Sequence, residues 1–206
     1  MSSINATIRA FVALDLPGEV KAALSDTSHR LSAQLGSYAR AVRWTKPEAI
    51  HLTLQFLGDV PVGMQQLLKE AIARGCKGQR AAEVSLDGLG VFPNPKRPRV
   101  LWVGIEGDEA SMNALNSLQA ALSNELSALG FKPDKGFRPH LTLGRVREQA
   151  TDAEIEGIGR CVAMSTDHPL VKCRFTLDEV NLMKSELRPT GSLYTPLVVV
   201  PLRPRT

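Results

Sequence analysis

The succession of apolar patterns along this 206-residue chain predicts an α+β fold made of two similar lobes facing each other across a cleft. Three observations carry that reading. Stretches that alternate with the period of a strand are interspersed with stripes of helical period, without the regular strand–helix–strand rhythm of a parallel sheet. Each half of the chain holds one strand that begins His-Leu-Thr-Leu, at residues 51–54 and 140–143. No low-complexity linker separates the halves, so residues 1–206 are read as one two-lobed domain, long enough to bury a core without metals or disulfides.

The elements follow in order. Residues 6–16 alternate, with Ile8, Ala10, Val12 and Leu14 on one side and Arg9, Phe11, Ala13 and Asp15 on the other, which is a strand. Pro17 stands where a first helical turn tolerates it, and Val20, Leu24, Leu31 and Leu35 form a helical stripe as far as Gly36. A short strand over 41–45 is broken by Pro47. Residues 51–59 read as a strand and 62–76 as a helix carrying Met64, Leu67, Leu68 and Ile72. Two strands, 82–89 and 99–106, flank a loop stiffened by Pro93, Pro95 and Pro98. The longest helix covers 112–129 and is closed by Gly130. After a turn at 133–136 come a strand at 140–146, a short helix at 152–161, and strands at 171–183 and 192–202. Residues 203–206 are expected to be a loose tail.

Composition bounds the function only weakly. Twenty-five Lys and Arg against 21 Asp and Glu leave a formal charge of +4, a mild tilt toward an anionic partner. The ordinary apolar and charged content argues against a disordered, collagen-like or membrane-spanning chain. Cys76, Cys161 and Cys173 make no C-x-x-C pair, and residues 1–5 lack a basic region followed by an apolar run. A reducing compartment, the cytoplasm, is therefore expected, with no membrane partner.

The repeated tetrapeptide carries the chemistry. On a strand, residues two apart share a face, so His51 points with Thr53 and His140 with Thr142, while Leu52, Leu54, Leu141 and Leu143 point into the lobes. Two imidazoles and two hydroxyls suit a cyclic phosphodiester. One ring deprotonates the attacking water, the other protonates the departing ribose oxygen, and the hydroxyls hold the non-bridging oxygens. Imidazole can serve in either role near neutral pH. Neither motif has Asp, Glu, Cys or a further His beside it as a third zinc ligand, so no metal and no other cofactor is expected. Arg145 is a permanent cation that could clamp the phosphate. On a regular strand, however, it has the opposite parity from His140.

These residues resemble the two-histidine (2H) phosphoesterases, and among them the RNA 2′,3′-cyclic phosphodiesterase family, also called 2′-5′ RNA ligase-like. The resemblance spans most of the chain: residues 9–17 (RAFVALDLP), 43–48 (RWTKPE) running into 51–58 (HLTLQFLG), 137–145 (FRPHLTLGR), and the closing segments 182–185 and 191–194. It implies a bilobal, pseudo-symmetric fold of two antiparallel sheets flanked by helices around a central groove. It also implies hydrolysis of a terminal 2′,3′-cyclic phosphate to a 2′-phosphate, with His51 the proton donor, His140 the acceptor, and Thr53 and Thr142 bonded to the phosphate. The implied partner is RNA ending in a cyclic phosphate, tRNA fragments included, with 2′-5′ ligation as a secondary activity of a monomeric protein. The family often has Ala before the Arg of the second motif, where this chain has Gly144.

Other residues have two readings each. Phe11 either stacks on a base or packs beneath a helix, and Trp44 and Phe56 read as core or cleft wall rather than base platforms. Arg43, Lys46 and Arg138 either guide RNA or are simply solvated. His29 and His168 read as ordinary surface residues, while Ser185 and Tyr194 match the family without an assignable role. Two other functions fit the same motifs: the same chemistry on 2′-5′-linked oligonucleotides or small cyclic nucleotide phosphates, and an RNA-binding module without turnover.

Overall fold

A computed structural model describes residues 6–134, 136–165, 173–188 and 191–205. His168, the segment around Val171 and the tail residue Thr206, on which some of the expectations above fall, lie outside the described residues.

Among the described residues the alternating segments form nine strands: β1 (Thr7–Leu14), β2 (Val42–Trp44), β3 (Leu52–Pro61), β4 (Ala82–Phe92), β5 (Val100–Glu106), β6 (His140–Val146), β7 (Arg174–Leu177), β8 (Glu179–Arg188) and β9 (Gly191–Pro201). Their order is β7-β4-β5-β6-β3-β1-β8-β9, with β2 also paired to β6. All the pairings between named strands are antiparallel. The two expected sheets are the two halves of this curled arrangement. They meet where β3 and β6 pair at a single register position, Leu52 opposite Leu141.

Among the described residues four α-helices cover the sheet: α1 (Gly18–Leu35), α2 (Gln65–Cys76), α3 (Glu109–Ser127) and α4 (Asp152–Met164). The stripe that predicted α1 is its buried face, with Val20, Leu24, Leu31 and Leu35 all in the core. Helix α2 packs on α3, where Gly75 lies against Leu122, and α1 packs near α4. The motif leucines Leu52, Leu54, Leu141 and Leu143 are each at most 1% exposed. That anchors both motif strands from behind and leaves their other face to the cleft.

Three expectations need correction. Helix α3 begins three residues earlier than its apolar stripe, because the Asp108 carboxylate caps it by accepting from the Ser111 N–H at 2.8 Å. The strand expected over 171–183 is split: β7 pairs with β4 in one half-sheet and β8 with β1 in the other, so the chain changes halves at Asp178. As far as Arg205 the tail is not loose: Arg203 makes a backbone bridge beside Arg80, with backbone bonds to Gln79 and Ala81, and the Arg205 guanidinium bonds the Asp108 carboxylate and the Ser111 hydroxyl, so backbone and charged groups rather than apolar side chains hold it.

Candidate active site

The pair at which β3 and β6 meet, Leu52 opposite Leu141, falls at the same place in both motifs, so the motifs run antiparallel past each other with His51 and Thr53 flanking the pair on one strand and His140 and Thr142 on the other. The two motifs are thus related by a local pseudo-dyad that brings two imidazoles and two hydroxyls together. Each ring is tethered alike: His51 Nδ1 lies 2.9 Å from the Ala49 carbonyl, and His140 Nδ1 lies 2.7 Å from the Arg138 carbonyl. A carbonyl only accepts, so Nδ1 carries the hydrogen in both rings and Nε2 is left to take or give a proton.

Aromatic rings wall each imidazole. Phe11 stacks on His51 at 4.5 Å with an interplanar angle of 24°, and Tyr194 meets His51 edge-on at 5.1 Å. Phe92 meets His140 edge-on at 4.9 Å, and Trp102 lies 6.4 Å from it. Phe11 is only 3% exposed and packs against the His51 imidazole.

Burial pushes the His51 imidazole down to about 4, reinforced by the charges of Lys21 and Arg145 and opposed by the Ala49 carbonyl and Asp15. His140 is also lowered, chiefly by burial and further by Arg145, against the Arg138 carbonyl. Without a ligand, both rings are neutral near pH 7. An anion bound between them would restore proton affinity to one or both.

The alternation rule fails at one point in each motif, for the same reason. Against β5, Gly144 pairs with Leu101 and Thr142 with Trp102, leaving Leu143 as a bulge. Against β1, Gln55 pairs with Val12 and Thr53 with Ala13, leaving Leu54 as a bulge. A bulge restarts the alternation one residue late. Residues 143 and 144 are therefore both buried, as are 54 and 55, and the next residue of each strand returns to the cleft. That residue is Arg145 in one motif and Phe56 in the other. Arg145 thus shares a face with His140, which regular parity did not allow, and its charge acts on both imidazoles. Phe56 is 53% exposed, with its ring 6.1 Å from Phe11, so it is cleft wall and not core.

The bulge at Leu54 is tied to the segment leading into the second motif. Gln55 Nε2 donates to the Lys132 carbonyl at 3.2 Å, and the Phe56 N–H donates to the Asp134 carboxylate at 3.2 Å. Gly144 is needed at the other bulge. A Cβ there would lie 2.7 Å from Val42 Cγ1 and 3.2 Å from the Arg43 carbonyl, so the departure from the family's Ala matches the close approach of β2.

Arg43 lies directly opposite Arg145 on β2, and both line a hollow that includes Lys46, Ala49 and Tyr194. Arg138 supplies its carbonyl to His140, and its side chain is exposed. Sequence reasoning left Tyr194 unassigned and did not connect Phe92 or Trp102 with the site. Tyr194 is 143 residues from His51 in the chain and reaches it only through the pairing of β9 with β8.

Residues 16–189 match the family model described as the 2′-5′ RNA ligase superfamily. A protein of Methanothermobacter thermautotrophicus named RNA 2′,3′-cyclic phosphodiesterase is 35% identical over 193 residues, covering 93% of this chain and 97% of that protein. One of the same name from Thermotoga maritima is 32% identical, covering 91% of each. Among solved structures, E. coli LigT complexed with 3′-AMP superposes with a TM-score of 0.72 at 26% identity, covering 96% of this chain and 99% of that one.

Proposed function

Because the chain belongs to the 2′-5′ RNA ligase superfamily, we propose that it is an RNA 2′,3′-cyclic phosphodiesterase that opens terminal cyclic phosphates to 2′-phosphates by acid–base catalysis between His51 and His140. The observation that carries this reading is the matched tethering of the two rings, each with Nδ1–H held by a backbone carbonyl and Nε2 left for proton exchange.

In this scheme neutral His140 takes a proton from water through Nε2 as the water oxygen bonds to phosphorus. The P–O3′ bond breaks, and protonated His51 gives its Nε2 proton to O3′. The products are a 2′-phosphate and a free 3′-hydroxyl, with His140 left protonated and His51 neutral until solvent resets them. Thr53 and Thr142 donate to the non-bridging oxygens, and the Arg145 guanidinium balances the charge that builds on them. The acidic free-protein value of His51 requires the phosphate anion itself to draw the proton onto that ring. Which histidine starts as the acid follows the family resemblance.

Arg43 and Arg138 guide the RNA toward the site, and tRNA fragments are the natural class of substrate. Joining a 2′,3′-cyclic end to a 5′-hydroxyl is the same displacement of O3′ with that hydroxyl in place of water, and it leaves a 2′-5′ linkage. The protein acts as a monomeric two-lobed unit, since one chain supplies both motifs. Its cysteines, Cys76, Cys161 and Cys173, are all free, in keeping with a reducing cytoplasm.

The test is incubation of the purified protein, in chelator, with an RNA oligomer ending in a 2′,3′-cyclic phosphate, resolving 2′- from 3′-phosphate products. Conversion to the 2′-phosphate, abolished in both His51→Ala and His140→Ala, is expected. A folded protein that leaves the cyclic end intact would contradict the proposal. RNA affinity that survives without turnover would point instead to a binding module.

A further inference from the structure

Two adjoining hollows, of about 350 and 660 Å³, share Arg43, Arg145 and Arg147. The first begins beside His51, at Ala49 and Tyr194, and adds Lys46 and Arg188; the second runs on to Arg99. Together they are lined by six Lys and Arg side chains and one carboxylate, Glu148. This concentration of charge is costly in the free protein. Arg43 and Arg145 lie directly opposite on neighbouring antiparallel strands, where like charges repel. Arg40, Arg74, Arg160, Arg174 and Arg205 each have a carboxylate within ion-pair distance. Arg43, Arg99, Arg145 and Arg147 have none among the described residues. Arg147 is held outward by donating from Nε to the Arg40 carbonyl at 3.1 Å. Uncompensated cations on one face are arranged for an anion that arrives from outside.

We infer that this groove binds the phosphodiester backbone of the nucleotides on the 5′ side of the reacting phosphate, so that the substrate is the single-stranded 3′ end of a polynucleotide at least three nucleotides long. The inference rests on the reaction proposed above. At a terminal cyclic phosphate the polymer continues in one direction only, through the 5′ oxygen of the last ribose. A cationic track leading away from the histidines therefore meets the internucleotide phosphates of that strand. Arg145 stands at the reacting phosphate, and Arg147, two residues on and about 7 Å further along the strand direction, takes the first internucleotide phosphate, with Arg43 and Arg99 lining the track for the next. Trp44 borders the first hollow, and cations with an aromatic ring among them are how single strands are gripped without sequence preference.

The test compares a nucleoside 2′,3′-cyclic phosphate with the di-, tri- and tetranucleotides that carry the same end. kcat/KM is expected to rise about tenfold with each of the first two internucleotide phosphates and then to level off. For the trinucleotide, the slope of log kcat/KM against log salt should be steeper than for the mononucleotide by about 1.4, from roughly 0.7 per phosphate. Arg99→Ser and Arg147→Ser should each lower the trinucleotide-to-mononucleotide ratio by about tenfold. Equal kcat/KM at every length, a ratio unchanged in both variants, or equal use of a blunt duplex end would overturn the inference. If no cyclic end is turned over at all, the proposed reaction fails. The groove is then judged by equilibrium binding of 3′-phosphorylated mono- and trinucleotides, where equal affinity and equal salt slope would overturn it.

Discussion

Lowering the pH from 7 to 4.5 should destabilise the protein by about 2 kcal/mol through His51 alone. Burial holds this ring at about 4 in the folded state, against an ordinary value of 6.5. The sign follows from proton counts: between those two values the unfolded chain carries a proton on His51 that the folded protein does not. Its contribution is fully present above 6.5 and is lost as pH falls toward 4. At 1.36 kcal/mol per unit, the two units between 6.5 and 4.5 set the scale, reduced slightly because the folded ring begins to titrate as well. Other acids and bases titrate in the same range, so the measurement is a difference. Urea unfolding of the wild type and of His51→Asn at pH 7, 5.5 and 4.5 cancels the groups they share. Asn keeps an N–H that can reach the Ala49 carbonyl and has no charge to gain. The stability advantage of the wild type should shrink by about 2 kcal/mol across that range. Parallel pH dependences, or an NMR titration of His51 with a midpoint at 6.5 or above, would refute the reasoning.

Four further outcomes follow from the contacts described. Gly144→Ala should cost about 1–3 kcal/mol by pressing a Cβ onto Val42; Val42→Ala in the same chain should recover part of it in a urea double-mutant cycle, and strict additivity would refute the close approach. In kcat/KM–pH profiles, which report the free enzyme, the optimum should lie on the acid side of 6.5 because both imidazoles are lowered. Arg145→Gln should move the optimum to higher pH and raise KM for RNA, since it removes a charge that lowers both rings; an unmoved profile would remove Arg145 from the site's electrostatics. The Asp108 carboxyl is held at about 2 by the Ser111 N–H and then by Arg205, so its contribution is present above about 4 and falls away toward 2; Arg205→Ala should lower the thermal midpoint at pH 7 and lower it by less near pH 2, and an equal loss at both would refute the pairing.

The sequence was most informative where a residue's partner is its own strand neighbour. The alternation in 51–54 and 140–143 placed two imidazoles and two hydroxyls on one face and the leucines behind them, and the core agrees. What stayed hidden was decided by partner strands. The bulges at Leu54 and Leu143 exist only against β1 and β5, so parity counted along one strand put Arg145 on the wrong face and gave Phe56 no sign that it is exposed. The division of one apparent strand into β7 and β8 is likewise a matter of which half-sheet each joins. Phe11 showed in sequence as the aromatic on the polar side of β1, but only the stacking geometry identifies what it supports. The anchored tail was missed because Arg205 is fixed by Asp108 and Ser111, nearly a hundred positions away.

The central claim, that His51 protonates the departing O3′ while His140 activates water, is tested most directly with a ribonucleotide 2′,3′-cyclic phosphate whose bridging O3′ is replaced by sulfur. A thiolate leaves without needing a proton, so loss of the general acid should be forgiven on this substrate and loss of the general base should not. His51→Ala should regain most of the wild-type rate on the sulfur substrate while remaining inactive on the oxygen one, and His140→Ala should be inactive on both. Rescue of His140→Ala instead would exchange the two roles, and rescue of neither would contradict general-acid catalysis at this site.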